Sequence, residues 1–137
     1  MKLCSACLLG INCRYNGKNK MNEKVLEIAK KEVLIPVCPE QLAGMSTPRN
    51  SAEIVDGKIL EQDGRDMTRI YMNGVSEAMK VVEMLGVTEA ILKQKSPTCG
   101  CGKIYDGTFS GNLTDGDGLF TKALKQKNIK VVSEEDL

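Results

Sequence analysis

The six cysteines of this chain are the residues best suited to unusual chemistry, because the chain contains no histidine. The absence of histidine excludes Ser-His and Cys-His catalytic pairs, and every zinc or haem site that needs an imidazole ligand. Acid–base catalysis must then depend on carboxylates, lysine, tyrosine, cysteine or water. The N-terminal residues MKLCSACLLGINC lack the apolar core of a signal peptide. We therefore expect a cytoplasmic protein with reduced thiols rather than a disulfide scaffold.

Three of the thiols share one position relative to predicted strands. Cys7, Cys38 and Cys99 each follow a run of strand type within a few residues: a weakly alternating run before Cys7, and short apolar runs before the other two. If these runs form parallel strands, the three thiols meet at the carboxyl ends of the strands, where open α/β sheets bind ligands. Cys4 lies inside the first run and is expected to be a small buried hydrophobe. Two further thiols lie nearby and are open to interpretation as spare ligands, redox partners or bystanders: Cys13 and Cys101.

An iron–sulfur cluster is the metal centre that best suits thiolates from three separated loops. Structural zinc normally takes four ligands from paired CxxC motifs, and only Cys4 and Cys7 form such a pair. Haem attachment needs a CxxCH motif, which is absent. Three thiolates on a four-iron cluster leave one iron open as a Lewis acid. The alternatives are an iron–sulfur redox or sensor protein without enzymatic activity, which prefers four cysteine ligands, and a structural zinc module.

Polar residues beside these thiols are candidates for catalysis and substrate binding. Glu40 lies two residues after Cys38, so its carboxylate is expected at the same edge of the sheet. Ser96 begins the Ser-Pro-Thr-Cys turn that leads to Cys99. The alternatives are an exposed carboxylate and an ordinary turn serine. Four cations in or beside the same loops are candidate substrate-binding residues, although a single cation is more often a surface charge: Arg14, Arg49, Lys93 and Lys95.

Alternating strand and helix patterns predict the elements that position these residues. Residues 1–137 read as one α/β domain, with a mostly parallel, Rossmann-like sheet flanked by helices. Asn22 is the expected N-cap of the first helix, and Gly86 is the expected C′ residue of the second. The predicted helices are Met21–Lys31, Asp66–Leu85 and Gly118–Lys127. The predicted parallel strands are Lys2–Ala6, Val33–Val37, Ala90–Leu92 and Ile129–Ser133. Hairpins are predicted for Glu53–Val55 with Lys58–Leu60, and for an arm at Ile104–Phe109.

The overall composition argues against several classes of partner. A formal net charge of +1 provides no basic face for duplex DNA, and 2 Phe, 3 Tyr and no Trp provide little stacking surface for single strands. No apolar run approaches the roughly 20 residues of a membrane span. We therefore expect a small-molecule substrate, no macromolecular nucleic acid, no membrane, and a monomer or homodimer.

Five sequence motifs in order resemble the domain of unknown function 523 family, whose characterised members are thiouracil desulfidases. The motifs are CLLG with CRYNG (Cys7–Gly17), CPE (Cys38–Glu40), TPR (Thr47–Arg49), SPTCG (Ser96–Gly100) and IYDGTFSG (Ile104–Gly111). With the flanking helices, the resemblance covers nearly the whole chain. The chain departs from the family pattern at Ala43, where glycine is usual, and at Cys101, where serine is common.

The resemblance implies a [4Fe-4S] cluster held by three cysteines, which match Cys7, Cys38 and Cys99. It also implies two catalytic residues, which match Glu40 and Ser96. The implied reaction is a non-redox desulfuration, in which water replaces sulfur and hydrogen sulfide is released. The implied substrate is a thiolated uracil compound, namely 4-thiouracil, 4-thiouridine or its 5′-monophosphate. The density of cations near the thiols favours the monophosphate, such as that released by transfer-RNA turnover.

Overall fold

Four short parallel strands form the central sheet of the protein. The computed structural model describes residues 1–137. The strands are β1 (Lys2–Ser5), β2 (Leu34–Val37), β5 (Glu89–Leu92) and β8 (Lys130–Ser133). They lie in the order β2-β1-β5-β8, and every neighbouring pair is parallel. Each strand agrees with its predicted range to within one residue at either end, and the expected α/β sheet is confirmed.

Four helices accompany the sheet: α1 (Glu23–Ala29), α2 (Pro39–Leu42), α3 (Thr68–Leu85) and α4 (Leu119–Gln126). As predicted, the Asn22 side chain accepts a hydrogen bond from the Val25 N–H, and Gly86 ends α3 with a φ of 64°. The third helix begins at Thr68 rather than Asp66, because the Asp66 carboxylate accepts the Thr68 N–H in a turn before it. Short α2 was not predicted. None of these helices has the length and apolar composition that a membrane span requires.

Both faces of the sheet are covered, as a parallel sheet requires. On one face, strand residues pack against α3 and α4 in a cluster that includes Leu3, Leu92, Val75, Val82, Phe120 and Leu124. On the other face, Val25 of α1 packs with Cys4, Leu8 and Ile91. Cys4 is therefore a core residue, as expected, and burial raises the pKa of its thiol to about 12.

Two antiparallel ribbons complete the fold. The strands β3 (Ala52–Val55) and β4 (Lys58–Glu61) meet at Asp56 and Gly57, whose φ angles of 50° and 78° suit a two-residue hairpin turn. The strands β6 (Cys101–Tyr105) and β7 (Leu113–Asp117) form the second ribbon. The predicted bounds of this hairpin arm, Ile104–Phe109, were wrong, because the strand begins at Cys101 and ends at Tyr105. The polar sequence of β7 gave no strand signal.

Candidate active site

A cavity of about 130 Å³ lies at the carboxyl ends of β1, β2 and β5, and 20 residues line it. The lining includes the three predicted thiols, Cys7, Cys38 and Cys99, together with Glu40 and Ser96. The first thiol lies in a 3₁₀ turn directly after β1, and the second lies between β2 and α2. The parallel topology therefore brings together residues from three separate segments, as the sequence argument expected.

A fourth thiol, that of Cys13, lines the same cavity, and its residue is 2% exposed. The Cys13 carbonyl oxygen accepts a weak hydrogen bond from the Cys38 thiol, with a distance of 3.8 Å. The pKa of Cys13 is raised to about 11, because the Cys7 thiol and burial outweigh the opposite effect of the Cys38 thiol. In contrast, Cys101 lies outside the cavity on β6, where its thiol faces the Val131 carbonyl.

The chemistry of the lining thiols suits an iron–sulfur cluster. The Cys13 thiol and burial raise the pKa of Cys38, and burial raises the pKa of Cys99. Binding of iron must therefore displace protons from these thiols. The irons of a cluster take ligands from separate positions, and the three predicted thiols come from three separate loops at this edge of the sheet.

Glu40 is held at the cavity by three donors. Its Oε1 accepts hydrogen bonds from Arg49 Nε at 3.0 Å and from the Tyr71 hydroxyl at 3.4 Å. Its Oε2 accepts one from the Thr98 hydroxyl at 2.9 Å. Its side chain is 15% exposed, so the interpretation of Glu40 as a surface residue is excluded. The three donors together fix the direction in which the carboxylate points.

A close helix contact sets the position of Glu40. The short helix α2 packs against α3 at Gly74, where a Cβ atom would lie 2.0 Å from the Pro39 carbonyl oxygen. Only glycine permits this approach. The contact places the first turn of α2 beside Tyr71, which α3 also carries. Burial and the negative charge of Glu40 raise the pKa of the Tyr71 phenol, so it remains a hydrogen-bond donor.

Ser96 is arranged as a donor toward the cavity. Its Oγ accepts hydrogen bonds from the Thr98 and Cys99 N–H groups, both at 3.0 Å. Two accepted bonds occupy the lone pairs of a hydroxyl oxygen, so the hydroxyl hydrogen is free to donate. Because Ser96 lines the cavity, this hydrogen is available to a bound molecule.

The four candidate substrate-binding cations differ in their surroundings. Arg49 and Lys93 line the cavity, but each is paired, with Glu40 at 3.0 Å and with Glu134 at 3.2 Å respectively. Lys95 lies outside the cavity lining and faces Glu135 at 3.7 Å.

Arg14 is the remaining candidate cation. It lines the cavity, stacks on the Tyr15 ring at 5.5 Å and forms no ion pair. Of the four candidates, only Arg14 is therefore both in the cavity and free to bind an anion.

Comparisons with known proteins identify the family of this chain. The model of the 2-thiouracil desulfurase family matches residues 3–136, which is nearly the whole sequence. The chain belongs to this family. It is also 40% identical over 147 residues to the uncharacterized protein YbbK of Bacillus subtilis (strain 168), with 100% of this chain and 97% of YbbK covered.

A solved structure supports both the family and the fold. The [4Fe-4S]-dependent thiouracil desulfidase TudS (DUF523Vcz) superposes with a TM-score of 0.93 and is 34% identical. The match covers 99% of this chain and 91% of the TudS chain. The resemblance to the domain of unknown function 523 family is therefore confirmed.

Two residues that donate hydrogen bonds to Glu40 in this member of the 2-thiouracil desulfurase family were not predicted from the sequence. Tyr71 lies on a helix at an ordinary core position, so its role depends on α2 packing beside it. Thr98 lies inside the SPTCG motif and is 1% exposed, but the motif does not reveal which partner its hydroxyl binds. The CPE and SPTCG motifs are the signal that could have suggested a contact between these two loops.

Proposed function

We propose that this protein is an iron–sulfur-dependent enzyme that removes sulfur from a thiolated uracil compound without net oxidation or reduction. The observation that carries this proposal is a cavity in which cysteine thiols surround the same space as a carboxylate fixed by three hydrogen-bond donors. A [4Fe-4S] cluster held by Cys7, Cys38 and Cys99 would provide an open iron, a Lewis acid with affinity for the sulfur of the substrate.

Glu40 is proposed to move the protons of the reaction. Water adds to the thiocarbonyl carbon, the carbon–sulfur bond breaks, and the products are the carbonyl compound and hydrogen sulfide. The Glu40 carboxylate accepts one proton from the attacking water and passes it to the departing sulfur, so the residue is unchanged after one cycle. The proton left on the added oxygen is released as the carbonyl forms and converts hydrosulfide to hydrogen sulfide. Arg49, Tyr71 and Thr98 fix the direction of the carboxylate during both transfers.

Ser96 is proposed to donate its free hydroxyl hydrogen to the reacting centre. Both of its lone pairs are engaged by backbone N–H groups, so it is poorly suited to accept a proton and well suited to donate a hydrogen bond. As the adduct collapses, the hydroxyl oxygen derived from water loses its proton and becomes the carbonyl oxygen, and a fixed donor stabilises the negative charge that develops there.

The surroundings of the cations limit how much negative charge the cavity can bind on a substrate. Because Arg49 and Lys93 are neutralised by glutamates, the density of cations in the sequence overstates the positive charge that the cavity offers. One free guanidinium, that of Arg14, remains for a single phosphate. The proposed substrates share a 4-thiouracil ring, as the free base, as 4-thiouridine or as its 5′-monophosphate, and the phosphate would bind at Arg14.

The proposal is tested by anaerobic reconstitution followed by turnover. We expect about four irons per chain, and release of hydrogen sulfide and the oxo compound from at least one of the three thiolated substrates. Cys101→Ala is the matched control for the ligand variants, because Cys101 lies outside the cavity. A protein that binds the cluster but releases no hydrogen sulfide from any of them contradicts the desulfidase proposal.

A second function is favoured by the fourth thiol of the cavity. Four cysteine ligands are typical of electron-transfer or redox-sensing clusters, and Cys13 could complete such a set. Reversible one-electron reduction without turnover, together with loss of iron in Cys13→Ala, would support this alternative. The carboxylate that three donors hold beside the thiols favours the enzyme, because a redox centre needs no base.

A further inference from the structure

The segment Ile104–Gly111, with the sequence IYDGTFSG, has no role in the chemistry proposed above, yet it brings an aromatic side chain to the cavity. Tyr105 is the last residue of β6 and lines the cavity wall. It also lines an adjoining crevice with Ala52 and Ile54 of β3 and with Pro97, the residue after Ser96. The tyrosine therefore lies between β3 and the turn that carries Ser96.

The chain that follows Tyr105 is attached to β3 by one carboxylate. Glu53 Oε1 accepts hydrogen bonds from the Gly107 N–H at 3.0 Å and from the Phe109 N–H at 3.2 Å. The contact is close, because a Cβ atom on Gly107 would lie 2.7 Å from the Ile54 carbonyl oxygen. Gly107 has a φ of 89°, which also favours glycine. Glu53 thus fixes where this loop lies on β3.

Contacts inside the loop maintain its shape independently of Glu53. Asp106 Oδ1 accepts hydrogen bonds from the Thr108 N–H at 3.0 Å and from the Thr108 hydroxyl at 2.5 Å. The Asp106 N–H donates to the Asn112 carbonyl oxygen at 3.0 Å, which closes the base of the loop. Loss of Glu53 would therefore release a structured loop from β3 rather than unfold it.

We propose that Ile104–Gly111 is a strap, fixed by Glu53, that holds Tyr105 as the aromatic surface on which the planar ring of the substrate packs. This inference rests on the proposed function, because it assumes a substrate with a pyrimidine ring. Aromatic side chains bind planar heterocycles by stacking, which needs a ring held at a fixed position in the wall. Tyr105 is thus a substrate-binding residue, and Glu53 is a positioning residue that acts through it.

The first test separates binding from chemistry at Tyr105. In the cluster-loaded enzyme, Tyr105→Ala should raise KM for 4-thiouracil roughly five- to 150-fold, the range expected for loss of one stacked base. Its kcat should change less than threefold and its iron content should be unchanged. Tyr105→Phe keeps the ring and should retain a KM within about threefold of the wild type. The Kd of the product uracil, measured by calorimetry, should rise in parallel with KM.

The second test is a double-mutant cycle between Glu53 and Tyr105. Glu53→Ala should raise KM in the wild-type background and have no further effect in the Tyr105→Ala background. Glu53→Gln keeps an acceptor oxygen and should restore most of the affinity. Asp115→Ala is the control, because Asp115 lies on β7 of the same ribbon with its side chain 88% exposed, and it should have wild-type KM.

The outcomes distinguish refutation of the proposed strap from refutation of the proposed desulfidase function. Wild-type turnover with an unchanged KM and Kd in Tyr105→Ala would overturn the role of Tyr105. An equal increase in KM from Glu53→Ala in both backgrounds would show that Glu53 does not act through Tyr105. Absence of wild-type turnover on every thiolated uracil would refute the proposed function. An unchanged Kd for uracil in Tyr105→Ala would, in that case too, refute the ring-binding role.

Discussion

Replacement of Glu40 by glutamine tests its proposed role as a base, because it keeps the hydrogen bonds that hold the side chain. The amide oxygen of Gln can accept the hydrogen bonds that Arg49 and Tyr71 now donate to Oε1. The amide nitrogen would then face the Thr98 hydroxyl, which can turn to accept instead of donate. Glu40→Gln therefore preserves the hydrogen-bond pattern and removes the negative charge and the proton acceptor.

The expected cost to stability is moderate. Arg49, with its side chain 7% exposed, loses its only charged partner but keeps the carbonyl oxygens of Cys13 and Ser46 as acceptors. Loss of a charge-assisted hydrogen bond costs about 1–3 kcal/mol, below the 3–5 kcal/mol typical of a buried charge left alone. We expect Tm to fall by roughly 3–12 °C in a domain of this size.

The expected cost to catalysis is larger and separate. Removal of a general base typically lowers the rate by roughly 10²- to 10⁴-fold, so kcat should fall by at least about 10²-fold while iron content remains at the wild-type level. Hydrogen sulfide release under anaerobic conditions measures the rate, and iron per chain measures the cluster. Wild-type turnover in Glu40→Gln would refute the role of Glu40, and loss of iron would show that the carboxylate supports the cluster instead.

Four further outcomes follow from the same site. Alanine at each proposed ligand, Cys7, Cys38 and Cys99, should remove most of the iron, whereas Cys101→Ala should retain it; equal loss in both groups refutes the ligand set. Ser96→Ala should keep the iron and lower kcat roughly ten- to a thousandfold; wild-type kcat contradicts its role. Arg14→Ala should raise KM for the 5′-monophosphate but not for the free base, with the difference shrinking at high salt. Chelated, metal-free protein should keep native circular dichroism and a cooperative thermal transition; a molten spectrum contradicts a preformed cavity.

The central sheet was predictable because its strands are short apolar runs with recognisable boundaries. The helix α2 was not predictable, because four residues are too few to show a helical period and its position depends on Gly74 of a distant helix. The strand β7 was missed because the sequence LTDGD has no apolar alternation. Its strand conformation comes from pairing with β6, a contact that local sequence does not encode.

The meeting of the thiols was predictable from topology, whereas the network around Glu40 was not. Parallel strands bring their carboxyl ends together whatever lies between them, so Cys7 and Cys38 meet at one edge. The contacts of Glu40 join residues 31 and 58 positions away, Tyr71 and Thr98, and no local pattern reveals such pairs. For the same reason, the sequence could not show that Arg49 is neutralised by Glu40.

Most of the charge in the cavity wall is neutralised by groups of the protein itself. The two cations of its wall other than Arg14 are each paired with a glutamate, and the raised pKa values of Cys13, Cys38 and Cys99 keep these thiols neutral. The thiols of the cavity are also part of the hydrophobic core, because Cys99 belongs to the cluster on one face of the sheet and Cys7 and Cys13 belong to the cluster on the other. We therefore expect folding not to require the proposed cluster, unlike the folding of small zinc domains, which needs the metal. Because the other two cations of the wall are paired, we expect the free Arg14 guanidinium to be the group that distinguishes a charged substrate from a neutral one.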